Sequence, residues 1–205
     1  MNLEHVYGSA VMAIVMFLVC EACLYVVIRA DGFSLPIGWM SRKKYILCAV
    51  LACILSESIW LSAAMGVIVG GLLFACVTDS VQCQVYHFVW WIVGVVLMLC
   101  FLFATWNHTN IPWLEITVFG FIQEVGFSKL YGKADSHAFC VCAMVFALCG
   151  KGMLWYLLHM ALSLFLLGYV QWNKNNISYK GNLKKPVPFI PYIVVSFVMM
   201  YALMD

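Results

Sequence analysis

The chain has 205 residues, 65% of them hydrophobic and only 10% charged, with a mean hydropathy of +0.99. A soluble core of this length does not need so apolar a composition, which excludes a soluble domain with one anchor. The formal net charge is +2, and no Lys/Arg-rich stripe interleaved with aromatics points to nucleic acid.

Backbone groups cannot go unpaired in lipid, so the spans must be helices or a closed barrel. The apolar runs are continuous rather than alternating, which leaves helices. The chain therefore reads as an all-α polytopic membrane protein. The first apolar run lacks a positive leading region, so it is not read as a cleaved signal peptide. It runs from Ser9 to Arg29 and carries Glu21, which is costly in lipid and expected to face the bundle interior. A polar linker, 30–44, follows. Residues 45–78 are apolar for too long to be one span, and Ser56-Glu57-Ser58 interrupts them, predicting helices over about 45–60 and 62–78. The second is rich in small residues, among them Gly66, Gly70 and Gly71, a composition that permits close helix packing. Thr78-Asp79 ends it.

The next span covers about 87–105 and opens with His87 and Trp90-Trp91. A polar loop then leads to a shorter, less apolar helix over 113–128 that contains Glu115, Gln123 and Glu124. Gly132-Lys133-Ala134-Asp135 comes next. Two spans, 136–150 and 153–171, join at Gly150-Lys151-Gly152. A hydrophilic loop, 172–187, precedes the last span, 188–204, whose approach reads Pro186-Val187-Pro188-Phe189-Ile190-Pro191. The sum is a single membrane-embedded domain, 1–205, of about eight transmembrane helices, with cytoplasmic loops 30–44 and 172–187. With the N-terminus outside, every one of the 11 basic residues except Lys151 falls on the cytoplasmic side, as the positive-inside rule requires. The same topology brings Asp79 and Asp135 to the cytoplasmic face.

Two carboxylates sharing one water cannot both ionise easily. One keeps a proton and acts as acid, the other acts as base, and the water attacks a peptide carbonyl. Asp79 and Asp135 have the depth and the separate helices that this chemistry needs. The bland alternative is that each caps a helix, since Asp is a favoured N-cap. Other constellations are thinner. Cys83 and His87, four apart, share a helix face as a thiol–imidazole pair could. Most of the ten cysteines lie in apolar runs, and Cys20-x-x-Cys23 has no second pair in a polar loop, so neither a metal nor a cofactor is expected. His108 and His159 read as interfacial or packed residues. Glu21, Glu57 and Glu124 could instead line a proton or solute path, the reading of a transport or non-catalytic bundle.

The pattern resembles the type IV prepilin peptidase family, membrane aspartic peptidases with a Gly-x-Gly-Asp signature. Asp79 and Gly132-Lys133-Ala134-Asp135 match that family's two aspartate positions in order, side and approximate spacing. Phe17 to Arg29 is similar to its first-helix motif, and Pro188-Phe189-Ile190-Pro191 to the Pro-Phe-Gly-Pro that begins its last helix. The chain departs from the pattern at Ala134, where the signature has its second glycine, and at Cys20-Glu21, where the first helix has Gly-Ser. The resemblance implies catalytic Asp79 and Asp135, with Gly132, Lys133 and Ala134 at the site. It also implies a multi-pass protein of the bacterial cytoplasmic membrane that cleaves the leader of a prepilin-like, single-helix membrane protein for pilus assembly or protein secretion. Bifunctional members carry a large loop after the first helix, often with two Cys-x-x-Cys pairs. Here that loop is only 30–44 and has no cysteine, so methyltransferase activity is not implied. An inactive homologue is the remaining alternative within the family, and nothing in the residues sets an oligomeric state.

Overall fold

A computed structural model describes residues 3–32, 43–55, 59–107, 109–177 and 187–204. Among these, every element is helical: α1 (Leu3–Asp31), α2 (Lys43–Leu55), α3 (Ile59–Gln82), α4 (His87–Trp106), α5 (Trp113–Ile122), α6 (Ser128–Tyr131), α7 (Lys133–Leu148), α8 (Met153–Ile177) and α9 (Ile190–Ala202). A π-helical stretch, Gln123–Phe127, joins α5 to α6. Four of the helices, α1, α3, α4 and α8, are long and apolar enough to cross a membrane.

Two sequence expectations change. The helix read over 113–128 runs on without a gap to Tyr131 but widens to a π turn at Gln123–Phe127, where side chains of α6 and α7 engage Gln123. The loop read from 172 is still α8 as far as Ile177. Its polar residues mark the edge of the apolar zone, and no glycine or proline stops the helix there. The interruption at Ser56-Glu57-Ser58, His108 and most of the basic residues of the two long loops lie outside the described residues.

The most enclosed of the four long helices is α3, and its glycines explain why. A Cβ added to Gly70 would stand 2.8 Å from the Met16 carbonyl oxygen, and one on Gly66 3.0 Å from Val15 Cβ, so α1 lies directly on the α3 backbone. Gly71 faces the other way, where a Cβ would overlap Val93 of α4. Small residues thus seat a helix on each side of α3.

At the centre, α3 packs on α4 and α9, and α7 packs on the same two helices, so α3 and α7 stand at opposite corners of a four-helix core. Rings of α7 and α9 interlock, with Phe139–Phe189 and Phe146–Phe197 centroids 5.7 and 5.4 Å apart. On the outside of this core, α8 holds α9 through His159 Nε2, 3.0 Å from the Ile193 carbonyl, and through a Ser163–Ser196 hydroxyl pair. Glu115 of α5 accepts the Met153 amide and so anchors the start of α8. The exposed Trp91, Trp106, Trp113 and Trp172 sit near helix ends, where an interfacial belt would be.

The glycine seam is testable. Gly70→Val should wedge α1 off α3 and cost about 1–3 kcal/mol, lowering the heat-unfolding midpoint in detergent. Gly94→Ala, where an added Cβ meets nothing within 4 Å, should be neutral or gain up to about 1 kcal/mol. Equal midpoints for the two variants would refute close packing at Gly70.

Candidate functional site

Asp79 lies in the last turn of α3 and is 7% exposed. Its carboxylate Oδ2 accepts the Ile190 amide at 3.0 Å, with the Phe189 amide beside it. These amides open α9, whose N-cap residue, Phe189, offers no side-chain acceptor of its own. A helix start leaves its first amides without intrahelical partners, and an anion there also meets the positive end of the helix dipole. Asp79 therefore does cap a helix, but one that begins 111 residues later and not the helix that follows it. The next helix, α4, starts after Tyr86 with no side-chain cap. Thr78, the neighbour of Asp79, turns its hydroxyl back to the Phe74 and Ala75 carbonyls and adds nothing to the site.

Asp135 is the third residue of α7. The cap position is Gly132, whose amide is already taken by the Ser128 carbonyl, so Asp135 is not a helix cap. Gly132 has φ +117° and is at once the end of α6 and the start of α7. That conformation favours glycine, and a Cβ there would stand 3.4 Å from Asp135 Oδ2. Ala134, by contrast, is an ordinary residue in the first turn of α7 and does not need a positive φ. Lys133 is exposed beside it.

The two carboxyl groups belong to one end of the core, and Asp135 feels the Asp79 charge. Asp135 lies outside the four membrane-length helices. Burial, with the Asp79 charge adding to it, pushes its carboxyl up to about 7. No hydrogen bond reaches that carboxyl among the described residues, which leaves the effect of burial uncompensated. Arg29, Lys129 and Lys133 lie at this same end, and Lys151 at the other. The α1 end is fixed there because Asp31 takes the Tyr86 hydroxyl.

Other groups named from the sequence sit elsewhere. Burial and the Asp79 charge push the Cys83 thiol above its ordinary value, the reverse of an activated nucleophile, and the His87 ring meets His137, with centroids 6.3 Å apart. Glu124 is exposed, 4.0 Å from His137 Nε2, rather than buried along an internal path. Glu21 is half-buried, and Glu57 lies outside the described residues. Among the described residues no three His, Cys, Asp or Glu are grouped to hold a metal. A cavity of about 480 Å³ between α4 and α5 is apolar, lined by Gly94, Phe101, Trp113, Gly120 and Met144 among others, and neither aspartate reaches it.

The residues that reading the chain passed over are Gln123, Tyr131 and Ser136. Gln123 is wholly buried. Its side-chain oxygen accepts the Tyr131 hydroxyl, and its carbonyl accepts Ser136 Oγ at 3.0 Å. The signal was present: Gln123 shares the buried face of Ile116 and Phe119 at helical spacing. Compared with known proteins, the chain matches no family model, no curated protein and no solved structure.

The double duty of Asp79 can be separated. Asp79→Ala should strip α9 of its cap and cost about 0.5–2 kcal/mol of stability. Asp79→Asn keeps an acceptor oxygen for the Ile190 amide and should unfold within a few degrees of the parent. If both variants unfold at the parent temperature, the contact with α9 contributes nothing to stability.

Proposed function

We propose that the chain is a membrane aspartic endopeptidase that cleaves the leader of type IV prepilin-like proteins at the cytoplasmic face of a bacterial membrane. The observation that supports this reading is that the Asp79 charge acts on the Asp135 carboxyl, which burial helps to keep protonated near neutral pH. Like-charged carboxyls that share a site divide into acid and base.

In this reading Asp135 is the acid and Asp79 the base. A water between them loses a proton to Asp79 as its oxygen attacks the scissile carbonyl. Asp135 gives its proton to that carbonyl oxygen. As the tetrahedral intermediate collapses, Asp79 gives its proton to the leaving amine and Asp135 takes back the proton of one hydroxyl of the gem-diol, so the C–N bond breaks, a carboxyl product forms and the pair returns to its starting state. Neither step requires a nucleophilic side chain. The N-terminus lies outside, about eight helices form the bundle, and Lys133 borders the mouth of the site. The apolar helix of a single-span substrate docks against the bundle and holds the scissile bond at the carboxyls, so that positioning supplies part of the rate. Asp79 and Asp135 come from separate helices fixed by independent contacts, as such positioning needs.

The test is cleavage of a prepilin in proteoliposomes. Asp79→Asn and Asp135→Asn, each folded, should each lose about 100- to 10,000-fold in rate. Either variant working at the parent rate would falsify the two-carboxyl mechanism. The pH dependence has a definite sign. A carboxyl raised to about 7 holds its proton below that pH and loses it above, so cleavage should fall as pH rises through about 7. A rate that climbs steadily across that range would require a different acid.

A further inference from the structure

Gln123 is a buried amide in apolar surroundings, and all of its polar groups are occupied. Nε2 donates to Met160 Sδ of α8 at 3.4 Å, Oε1 accepts the Tyr131 hydroxyl, and the carbonyl accepts both the Ser128 amide and Ser136 Oγ. Two of these partners, Tyr131 and Ser136, frame the candidate site. Ser136 follows Asp135 directly. Tyr131 stands four residues before Asp135, close enough that its hydroxyl feels the Asp135 charge. Its ring is held among Phe127, Phe139 and Phe189, with centroids 5.9, 5.6 and 5.7 Å away. Phe189 in turn precedes Ile190, whose amide holds Asp79.

Tyr131 is therefore a hydroxyl donor near Asp135 that points elsewhere: it donates to Gln123, with Ser136 also at its hydroxyl. We propose that Gln123 is a positioning residue for Asp135: by taking the Tyr131 hydroxyl and anchoring Ser136, it leaves the Asp135 carboxyl without a donor among the described residues. A donor to the carboxylate would favour its charged form, and Asp135 would then give up the proton that the acid must carry. The widened turn at Gln123–Phe127 is what brings a residue of the α5 face onto both partners at once. The inference rests on the peptidase reading for its consequence, but its structural content concerns only Gln123, Tyr131 and Asp135. From the elements packed around it, the titratable group that acts on Asp135 is Asp79 of α3, while Asp135 in turn acts on Tyr131 of α6.

The experiment follows the infrared carbonyl band of protonated Asp135 against pH in the full chain, assigned by its loss in Asp135→Asn. Gln123→Leu frees the Tyr131 hydroxyl to donate to Asp135, so the midpoint should fall by about one pH unit. Adding Tyr131→Phe to that variant should return the midpoint to the parent value, a reversal that a merely structural glutamine would not produce. If Gln123→Leu does not fold, Gln123→Met keeps the length of the side chain while losing both polar ends, and the same two readings apply. A midpoint that does not move, or that moves and is not restored by Tyr131→Phe, overturns the proposal. Prepilin cleavage is measured on the same samples. A parent protein that never cleaves removes the peptidase reading, while the band midpoints still decide the role of Gln123.

Discussion

Helix α9 begins with amides that its own turn cannot satisfy, and the acceptor they use is the Asp79 carboxylate. That contact ties the end of α3 to the start of α9, two segments far apart in the chain. Because α9 also packs on α7, the same contact sets how α3 faces α7 across the core. An apolar seam alone would let α9 slide along α3, since lipid and leucine are nearly equivalent surroundings. A charged hydrogen bond at a helix end allows no such sliding. The glycines of α3 then fix the remaining neighbours, α1 and α4, by letting them approach its backbone.

From this frame the two aspartates acquire different environments. Asp79 has backbone donors from α9. Asp135 has burial and a neighbouring negative charge, with Tyr131 turned away toward Gln123. The asymmetry is the useful part. A symmetrical pair would leave acid and base undefined, whereas a carboxyl with amide donors and a carboxyl without them are chemically distinct before any substrate arrives. It also explains why a polar side chain such as Gln123 is kept in an apolar interior. A buried amide is tolerable only when fully bonded, and here its bonds reach three other elements: α6, α7 and α8.

Most of the helices were legible because lipid imposes a simple rule on composition, and continuous apolar runs follow from it. Their ends were less so. Polarity marks where a helix leaves the apolar zone, and α8 continues to Ile177 past that point because nothing breaks it. Asp79 and Asp135 stood out because charge is scarce in this chain. The partner of Asp79 did not, since a cap taken from another part of the chain leaves no local spacing to read. Gln123 was legible as a polar residue on an apolar face, but its meaning depended on Tyr131 and Ser136, which the turn at Gly132 folds back onto it. Glu124 beside it, as polar by type, is exposed, so residue type alone could not have separated the two.

Gly132 and Ala134 show why a short motif is best read by the conformation each position demands. In Gly132-Lys133-Ala134-Asp135 the unusual backbone belongs entirely to Gly132, which ends one helix and starts the next with φ +117°. A side chain there would strain the backbone while only touching the Asp135 carboxyl, at 3.4 Å. Ala134 lies inside the first turn of α7, where alanine is the best helix former and a glycine would weaken the turn that carries Asp135. The departure from a second glycine therefore costs the backbone nothing and stiffens the support of the carboxyl. The Ala134 side chain also packs against the hydrophobic core, so the alanine holds this turn by contact as well as by propensity, and a glycine would give up both.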